Sequence, residues 1–376
     1  MTASEKPAVS ATEPDWSRES RKEEGAHVNP RQIRRITAVT VNFRTPELAC
    51  ECARALAAQR NDNFYVDMVL VDNGSGDGSA EKLPVLLADL IDEGFVTFVP
   101  LDINGGFGWA NNEAILRACA SETPPDAIFL LNPDCVVEPG ALQTLVDELE
   151  AYPLCAVAGS QLVNPDGSLT GSAFHFPGVA NEFVRGLGLA SVGRLLHVKP
   201  VLVPYGERGE VGWVTGASCL IRTAALRDVG LFDTGFFLYF EEVELMYRMR
   251  GAGWILRHVP QSRVSHIGGA STGLKEGKSR VERAMPSYWY ESRRRFFALT
   301  RGSDYATCAN IAWLAGVRLG RVLKPIVPGD RIRPTQADEQ RLRESGIKVR
   351  PVHSEAAVTR IGDTLGVPPF WMRKAD

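Results

Sequence analysis

Residues 128–134 read Ile-Phe-Leu-Leu-Asn-Pro-Asp, an apolar run that ends abruptly in an amide, a proline and a carboxylate. A short continuous apolar run of this kind is typical of a strand that is buried on both faces of a sheet. In an open α/β sheet, ligands bind at the carboxyl ends of such strands. The run therefore places Asp134 either in a structural turn or in a site where it holds a cation and a phosphorylated ligand.

Three further strand-like segments precede this run and alternate with helical patterns. Residues 36–43, 66–71 and 96–99 have strand character, and helices are predicted over residues 46–59 and 111–119. Strand, helix and strand in close succession form the βαβ unit of a parallel sheet. The pattern predicts an α/β fold with a Rossmann-like, mostly parallel central sheet flanked by helices.

The composition indicates a large globular protein. The chain has 376 residues, 44% of them hydrophobic, which is enough for an extensive core. Its formal net charge of −3 argues against a nucleic-acid partner, because binding phosphates without sequence preference requires a basic surplus. The seven cysteines form no CxxC pair, which argues against a zinc cluster or a disulfide scaffold and fits a reducing cytoplasm.

The chain divides into three regions by composition. Residues 1–35 are polar and predicted to be a disordered tail, residues 36–300 to be the folded domain, and residues 301–376 to be a helical extension and tail. The sequence contains no secretory signal and no apolar window of membrane-spanning length. A cytoplasmic protein is expected, with any membrane contact peripheral and at the inner face of the cell membrane. Residues 330–376 suggest no function.

Polar loops follow the strands and are expected to meet at one edge of the sheet. In the loop at 72–79, glycines permit close backbone approach, and Asp72 and Asp77 are suited to accept hydrogen bonds from a base and a ribose. The loop at 104–108 is rich in glycine but matches neither a P-loop nor a dinucleotide fingerprint. Both loops also read as ordinary turns, and Asn111 and Asn112 as helix caps.

The order of the motifs resembles the family 2 glycosyltransferases of the GT-A fold, and within them the rhamnosyltransferase-like branch. The resemblance extends over residues 36–300 and divides the domain into a nucleotide-sugar half, 36–135, and an acceptor half, 136–300. The matching motifs are Val-Thr-Val-Asn at 39–42, Val-Asp-Asn-Gly-Ser-Gly-Asp-Gly-Ser at 71–79, Asn-Gly-Gly-Phe-Gly-Trp-Ala-Asn-Asn at 104–112, Leu-Asn-Pro-Asp at 131–134, Trp-Val-Thr-Gly-Ala at 213–217, Gly-Leu-Phe-Asp at 230–233, Phe-Phe-Leu-Tyr-Phe-Glu-Glu-Val-Glu-Leu at 236–245, Arg248, and Val-Ser-His at 264–266.

This resemblance implies a nucleotide-diphosphate sugar donor and a divalent cation, Mg²⁺ or Mn²⁺, on its leaving diphosphate. The Asp-x-Asp motif of the family corresponds to residues 132–134, so Asp134 is the predicted metal ligand. Asn132 replaces the first carboxylate and is expected to contact the donor. His266 is either a further metal ligand or a structural histidine. The other predicted donor contacts are Thr40, Val41, Asn42, Asp72, Asn73, Asn104, Gly105 and Asn112.

The resemblance also implies inversion by a single displacement, with a carboxylate as the base. Glu242 takes the position of that carboxylate, and Glu241 adjoins it as a second catalytic candidate. The alternative is a plain helix N-terminus with acidic residues in its first turn, in which Glu244 pairs with Arg248. The predicted acceptor-binding residues are Trp213, Gly216, Asp233 and Glu241.

Three segments are expected on the acceptor side. Residues 174–193 are predicted to form a mobile loop after a hairpin turn at 164–167, and residues 271–283 a basic loop that closes on the diphosphate. Aromatic and basic residues alternate over 288–297. They suit a membrane interface where a polyprenyl-diphosphate-linked saccharide would reside, or else the aromatics pack on the core and the arginines are solvated.

The sequence thus predicts an inverting glycosyltransferase of cell-surface polysaccharide or glycolipid biosynthesis, with dTDP-L-rhamnose as the expected donor. UDP-galactofuranose, UDP-glucose and UDP-N-acetylglucosamine are alternative donors. A sugar nucleotidyltransferase is another possibility, although residues 42–46 lack its glycine-rich, basic loop. A non-catalytic sugar-nucleotide-binding module is a third, against which Asp134 and Glu242 argue.

Overall fold

The apolar run that ends at Leu131 forms a fully buried strand in the main sheet of the protein, as seen in a computed structural model. The structure describes residues 32–269, 285–323, 334–352 and 357–373. The strands in these ranges are β1 (Arg35–Asn42), β2 (Tyr65–Asn73), β3 (Val96–Leu101), β4 (Ala127–Leu131), β5 (Cys135–Val137), β6 (Cys155–Val163), β7 (Ala173–Phe174), β8 (Gly209–Glu210), β9 (Trp213–Val214), β10 (Ser218–Arg222) and β11 (Ile255–His266).

The main sheet has the order β3-β2-β1-β4-β10-β6-β11-β5, and β8 pairs with β11 outside this path. Strands β3, β2, β1 and β4 run parallel, as predicted for the first half of the domain. In the second half β10 runs antiparallel to both β4 and β6, and β5 runs antiparallel to β11. Strand β4 therefore separates a parallel half of the sheet from a mixed half.

Helices cover both faces of this sheet. Ile128 and Leu130 of β4 belong to one apolar cluster and Phe129 and Leu131 to another, because successive side chains of a strand point to opposite faces. The helices are α1 (Pro46–Ala57), α2 (Ser79–Leu86), α3 (Ala88–Asp92), α4 (Phe107–Cys119), α5 (Ala141–Ala151), α6 (Val179–Leu187), α7 (Ala190–Leu195), α8 (Thr223–Val229), α9 (Glu241–Gly251), α10 (Ser287–Arg301), α11 (Ser303–Leu323) and α12 (Gln336–Glu344), followed by a 3₁₀ turn at Phe370–Met372.

Helix α4 begins earlier than the sequence pattern predicts. It starts at Phe107, directly after Gly106 at φ 91°, instead of at Asn111. The Asn111 amide donates to the carbonyl oxygen of Phe107 within the helix, at 2.9 Å. Asn111 and Asn112 are therefore interior helical residues, and the interpretation of these residues as helix caps is wrong.

The folded part also begins earlier than residue 36. Ile33 is only 2% exposed, and its backbone N–H donates to the Glu150 carboxylate at 2.8 Å. Arg35 already belongs to β1. The prediction of a disordered tail therefore fails for residues 32–35, and residues 1–31 lie outside the described part of the chain.

The segment expected to be a mobile loop, 174–193, contains helices α6 and α7. The backbones of α6 and α11 are in direct contact. Gly186 of α6 lies against the carbonyl group of Trp313, and Gly316 of α11 lies against that of Phe183. A Cβ atom at either glycine would lie 2.2 Å from those oxygens. The predicted hairpin turn before this segment is present, with Gly167 donating to the Asn164 carbonyl at 2.8 Å.

Helix α10 packs on the rest of the folded domain. Tyr290, Arg293, Phe296 and Phe297 are all buried, so these four residues do not face a membrane. The aromatics pack on the core as the alternative stated, but the expectation of solvated arginines is also wrong for Arg293. None of the helices in the described ranges is long and apolar enough to cross a bilayer. The predicted basic loop at 271–283 lies outside the described residues.

The end of the chain returns to the domain. The N–H of Leu231 donates to the Thr359 carbonyl at 2.7 Å, and the Trp109 indole donates to the Val367 carbonyl at 2.8 Å. The N–H of Gly366 donates to the Glu113 carboxylate at 2.8 Å. Residues 357–373 are therefore part of the folded domain, whereas the sequence predicted a separate tail.

Candidate active site

The loops after β1 and β2 are joined by buried polar side chains. The Asn42 amide donates to the Asp72 carboxylate at 2.7 Å, and its oxygen accepts from the backbone of Thr45 at 3.2 Å. The Asp72 Oδ2 atom accepts from the backbone of Ser75 at 3.2 Å, and the Ser75 hydroxyl donates at 2.6 Å to Oδ1, the oxygen that also accepts from Asn42. These side chains hold the two loops in a fixed relation.

A second set of hydrogen bonds joins β2 to the glycine-rich loop. The Asn73 amide donates to the Asn104 side chain at 3.0 Å, and the Asn73 oxygen accepts from Gly105 at 3.2 Å. The Asn104 oxygen also accepts from the backbone of Gly106 at 3.1 Å. The predicted donor contacts in these loops thus lie together, and many of their polar atoms already bind one another.

Two predicted donor contacts on β1 and one on α4 are inside the protein. Thr40 and Val41 have buried side chains, and Val41 belongs to the apolar core. The Asn112 amide donates to the Phe232 carbonyl at 2.9 Å, and the Asn112 side-chain oxygen accepts from the Phe232 N–H at 3.0 Å. Asn112 therefore has a structural role, fixing the turn before α9, and is not available to a donor.

Asp134 and His266 meet because β5 and β11 are paired. The register sets His266 opposite Cys135, the residue after Asp134. The Asp134 Oδ1 atom lies 3.2 Å from His266 Nε2, and Oδ2 accepts from the backbone of Gly268 at 3.1 Å. Burial raises the pKa of the Asp134 carboxyl, but the hydrogen bond and the electrostatic interaction with His266 outweigh it, so the pKa lies below its usual range.

Cys135 lies close to this pair, which the sequence did not indicate. Its thiol is fully buried and donates to the Ala217 carbonyl at 3.4 Å. Burial and the Asp134 carboxylate raise the pKa of the thiol well above its ordinary value, so the sulfur stays protonated. One carboxylate and one imidazole with a neutral thiol behind them fit a cation that also takes oxygen ligands from a bound diphosphate.

Two residues with a strained backbone directly precede the acidic pair, Glu241 and Glu242, with which α9 begins. Tyr239 and Phe240 both have positive φ, 71° and 68°, which is rare for aromatic residues. Oε2 of Glu241 and Oε2 of Glu242 are buried and have no hydrogen-bond partner among the described residues. Glu242 lines a cavity, whereas Glu241 packs towards Gly108 of α4.

Burial controls the protonation of this pair. Burial raises the pKa of Glu242 to about 7, although backbone N–H groups act in the opposite direction. Burial and the neighbouring Glu242 carboxylate raise the pKa of Glu241 well above its usual range. Both carboxyl groups of the pair therefore hold their protons more tightly than an exposed glutamate does.

Glu244 and the predicted acceptor contact Asp233 belong to ion pairs of the fold. Glu244 accepts from Arg248 at 2.8 Å, the i,i+4 pair expected from the sequence. Asp233 is fully buried, and both of its carboxylate oxygens accept from Arg295 at 2.8 Å. Asp233 therefore does not reach an acceptor, and the prediction of an acceptor contact there is wrong.

The cavity beside Glu242 has a volume of about 910 Å³, near the upper end for ligand sites. Trp213 lines it and stacks on Phe174, with ring centroids 4.1 Å apart. Gly216 faces Glu242, since a Cβ atom there would lie 3.6 Å from the Glu242 Cβ. The other residues on the wall are Pro177, Asn181, Glu182, Val184, Arg185, Gly188, Gly193, Arg194, Val198, Lys199, Pro200, Val201, Tyr239, Phe240, Val243 and Trp289.

The turn between β9 and β10 connects the acidic pair to the end of β4. Gly216 faces Glu242, and the carbonyl of the next residue, Ala217, accepts from the backbone of Asn132 at 2.9 Å. Half-buried Asn132 thus stands between this turn and Asp134. One short turn therefore contacts both Glu242 and the segment that leads to the Asp134–His266 pair.

Comparison with known proteins identifies relatives of this chain. The family model described as glycosyl transferase family 2 matches residues 37–228, just over half of the chain. An N-acetylglucosaminyl-diphospho-decaprenol L-rhamnosyltransferase of Mycobacterium tuberculosis is 32% identical over 220 residues, 55% of this chain and 68% of that protein. Rhamnosyltransferase WbbL of Escherichia coli is 28% identical over 172 residues, 43% of this chain and 60% of that protein.

A solved structure shares the architecture. The crystal structure of GalNAc-T7 with UDP, GalNAc and Mn²⁺ matches with a TM-score of 0.51 and 14% identity, covering 88% of this chain and 55% of that one. The chain belongs to glycosyl transferase family 2 and has the GT-A fold. Within the family it is rhamnosyltransferase-like.

Proposed function

We propose that this protein transfers L-rhamnose from dTDP-L-rhamnose to a polyprenyl-diphosphate-linked saccharide, with inversion at the anomeric carbon and with the aid of a divalent cation. The observation that carries the proposal is the position of Glu242. It is an acid on the cavity wall that has no ion-pair partner among the described residues. Glu182, another acid on that wall, is paired with Arg185 and Arg293.

Glu242 is suited to be the base. It takes the proton of the acceptor hydroxyl as that oxygen bonds to the anomeric carbon and the bond from this carbon to the diphosphate oxygen breaks. A pKa of about 7 makes the carboxylate a stronger base than an ordinary glutamate while leaving it partly ionised at neutral pH. Displacement from the face opposite the leaving group inverts the anomeric centre.

Asp134 and His266 would hold the cation on the donor side. When bound there, a divalent cation supplies positive charge that stabilises the leaving diphosphate. Asn132 contributes no charge, so the protein offers a single carboxylate. We therefore expect weak cation binding by the protein alone and tighter binding with the nucleoside diphosphate present.

The sugar and the lipid in this proposal are supported by the relatives, both of which are named as rhamnosyltransferases. One of them is named for a decaprenol-diphosphate acceptor. The cavity suits such an acceptor because valine, proline and aromatic side chains make up much of its wall. The product would belong to cell-wall or cell-surface polysaccharide synthesis at the inner face of the membrane.

The test is a panel of donors with a prenyl-diphosphate-linked N-acetylglucosamine as acceptor. Nucleoside diphosphate release and product mass are measured for dTDP-rhamnose, UDP-galactofuranose, UDP-glucose and UDP-N-acetylglucosamine, with and without EDTA. We expect turnover of dTDP-rhamnose alone and its loss in EDTA. Turnover of a UDP-sugar instead would refute the donor, and release of inorganic diphosphate from a nucleoside triphosphate and a sugar phosphate would indicate a nucleotidyltransferase.

A further inference from the structure

One wall of the cavity carries three cations. Arg185 comes from α6, Arg194 from α7, and Lys199 from the segment that follows. We infer that this basic wall binds the diphosphate of a prenyl diphosphate, and that the prenyl chain leaves the protein over Leu195 and Leu196. The inference rests on the proposed function, in which a prenyl diphosphate joins the acceptor saccharide to its lipid.

The charges on this wall do not cancel among the described residues. Glu182 accepts hydrogen bonds from both Arg185 and Arg293, so two guanidinium groups share one carboxylate. The triad of Arg185, Arg293 and Glu182 has a net charge of one positive unit, and Arg185 presents it to the cavity. Arg194 and Lys199 are exposed and add two more. The wall therefore has enough positive charge for a diphosphate, whose oxygens pair well with guanidinium and ammonium groups.

Arg185 is held in place before any ligand binds. Its guanidinium lies over the ring of Trp289, 4.6 Å from the centroid. Its partner Glu182 is fixed by Arg293, which is fully buried and donates to Asn310. A planar, pre-oriented guanidinium loses little conformational freedom when it binds a phosphate. This arrangement is therefore a prepared anion contact and more than a solvated surface charge.

Lys199 connects the basic wall to the aromatic wall. The Asn181 amide donates to the Lys199 carbonyl at 2.7 Å, which anchors this segment to α6. Burial and the nearby Lys199 cation hold the pKa of His175 below its usual range, so the imidazole is neutral. The His175 carbonyl accepts from the Trp213 indole at 3.2 Å. Lys199 therefore stands close to the part of the cavity that contains Trp213.

An apolar path leads from the basic wall to the surface. Leu195 and Leu196 follow Arg194 directly and are 76% and 54% exposed. Val184 and Val198 line the cavity behind them. Large apolar side chains next to cations are typical of surfaces that meet lipid and its anionic head groups. Because apolar residues adjoin the cations, the diphosphate that binds the basic wall is one that carries a hydrocarbon chain.

The direct test is binding of farnesyl diphosphate, followed by tryptophan fluorescence because Trp213 and Trp289 line the cavity. We expect the double variant Arg194→Gln/Lys199→Gln to bind it about tenfold more weakly or worse, since two charged contacts are lost. The matched control is Arg227→Gln, which removes an exposed arginine from α8. Farnesol and inorganic diphosphate, each alone, are expected to bind much more weakly than farnesyl diphosphate.

Several results would overturn the inference. Equal affinity of the wild type and the double variant would show that the cations do not contact the diphosphate. Displacement of farnesyl diphosphate by dTDP would assign the cavity to the donor. If inorganic diphosphate bound as tightly as farnesyl diphosphate, the site would be a simple anion site with no prenyl path.

The prenyl path has its own pair of variants. Leu195→Asp is expected to weaken farnesyl diphosphate more than dimethylallyl diphosphate, because only the longer chain reaches the surface leucines. Val85→Asp on α2 is the control, since Val85 is also 76% exposed. An equal effect of Leu195→Asp on both ligands would contradict the path.

Failure of the reaction and failure of this site are distinguishable. If farnesyl diphosphate binds with the expected dependence on Arg194 and Lys199 but no sugar is transferred, the proposed reaction is wrong and the site stands. If rhamnose is transferred and the double variant leaves the KM for the lipid acceptor unchanged, the site is wrong and the reaction stands.

Discussion

The indole nitrogen of Trp371 donates a hydrogen bond of 3.0 Å to the carbonyl oxygen of Gly105, joining the end of the chain to the glycine-rich loop. The Trp371 ring also packs edge-on against Phe237, with centroids 5.2 Å apart. The Phe237 carbonyl in turn accepts from the N–H of Phe107, the first residue of α4. The C-terminal segment therefore supports the loop in which donor contacts are proposed.

Replacing Trp371 by Phe keeps an aromatic ring and removes the N–H. We expect the KM for the donor to rise several-fold, which corresponds to the loss of about 1 kcal/mol from one hydrogen bond. Steady-state kinetics would measure it. Trp254→Phe is the control, because that indole donates to Asp228 at 2.9 Å in another part of the fold. A matching rise in donor KM in both variants would show a general effect on stability and not support of the loop.

Glu242→Gln should lower kcat by two orders of magnitude or more, because the amide cannot accept the acceptor proton. Glu241→Gln should lower it by less than tenfold, since Glu241 packs towards Gly108 and does not line the cavity. Single-turnover rates at saturating donor and acceptor separate the chemical step from binding. Comparable losses in the two variants would disprove the assignment of the base to Glu242.

The raised pKa of Glu242 predicts how the rate depends on pH. Below about pH 7 the base is protonated, so kcat should rise with pH and level off above that value. The folded state holds this proton more tightly than the unfolded state does. The free energy of unfolding should therefore fall as the pH rises from about 4.5 to about 7, less steeply in Glu242→Gln. If kcat did not change between pH 5 and 8, a pKa of Glu242 raised by burial would not control the rate.

Asp134→Asn should abolish cation binding, because it removes the carboxylate of the Asp134–His266 pair. Mn²⁺ binding in the presence of dTDP, followed by electron paramagnetic resonance, measures this without any turnover. Cys135→Ser is the matched control at the adjoining residue, since a serine hydroxyl can still donate to the Ala217 carbonyl. Loss of Mn²⁺ in Cys135→Ser would make the sulfur a ligand, contrary to its raised pKa.

Arg293→Met should destabilise the protein by roughly 3–5 kcal/mol, since it leaves the buried Glu182 carboxylate with a single partner. Chemical denaturation monitored by circular dichroism would measure the change. Arg54→Met is the control: its ion pair with Asp89 is exposed, and such pairs contribute little. Similar losses of stability in both variants would show that the buried triad of Arg293, Glu182 and Arg185 contributes no more than an exposed ion pair.

Much of the donor half could be read from the sequence. The strands β1, β2, β3 and β4 and their parallel order follow from apolar runs that end in polar loops, and these loops do meet at one edge. The roles of individual side chains could not be read in this way. Asn112 and Asp233 look like ligand contacts in the motifs, yet one binds the backbone of Phe232 and the other pairs with Arg295.

The acceptor side was harder to predict because its parts are distant in the chain. Arg185 and Trp289 were not singled out as site residues, and they meet only because α6 packs on α11 and α10 lies beside them. Trp371 was missed although Phe-Trp-Met at 370–372 is an apolar group within a polar tail. That group is one sign that the chain returns to the core.

By itself, the sequence determined the class of fold, the position of Asp134 at a strand end and the acidic pair at the start of a helix. These features depend on local periodicity and on residues that are neighbours in the chain. Only the tertiary structure decided that His266 reaches Asp134, that Glu242 but not Glu241 faces the cavity, and that three cations line its wall. Those relations depend on strand register and helix packing. These bring together segments that are far apart in the chain and produce no periodic pattern in the sequence.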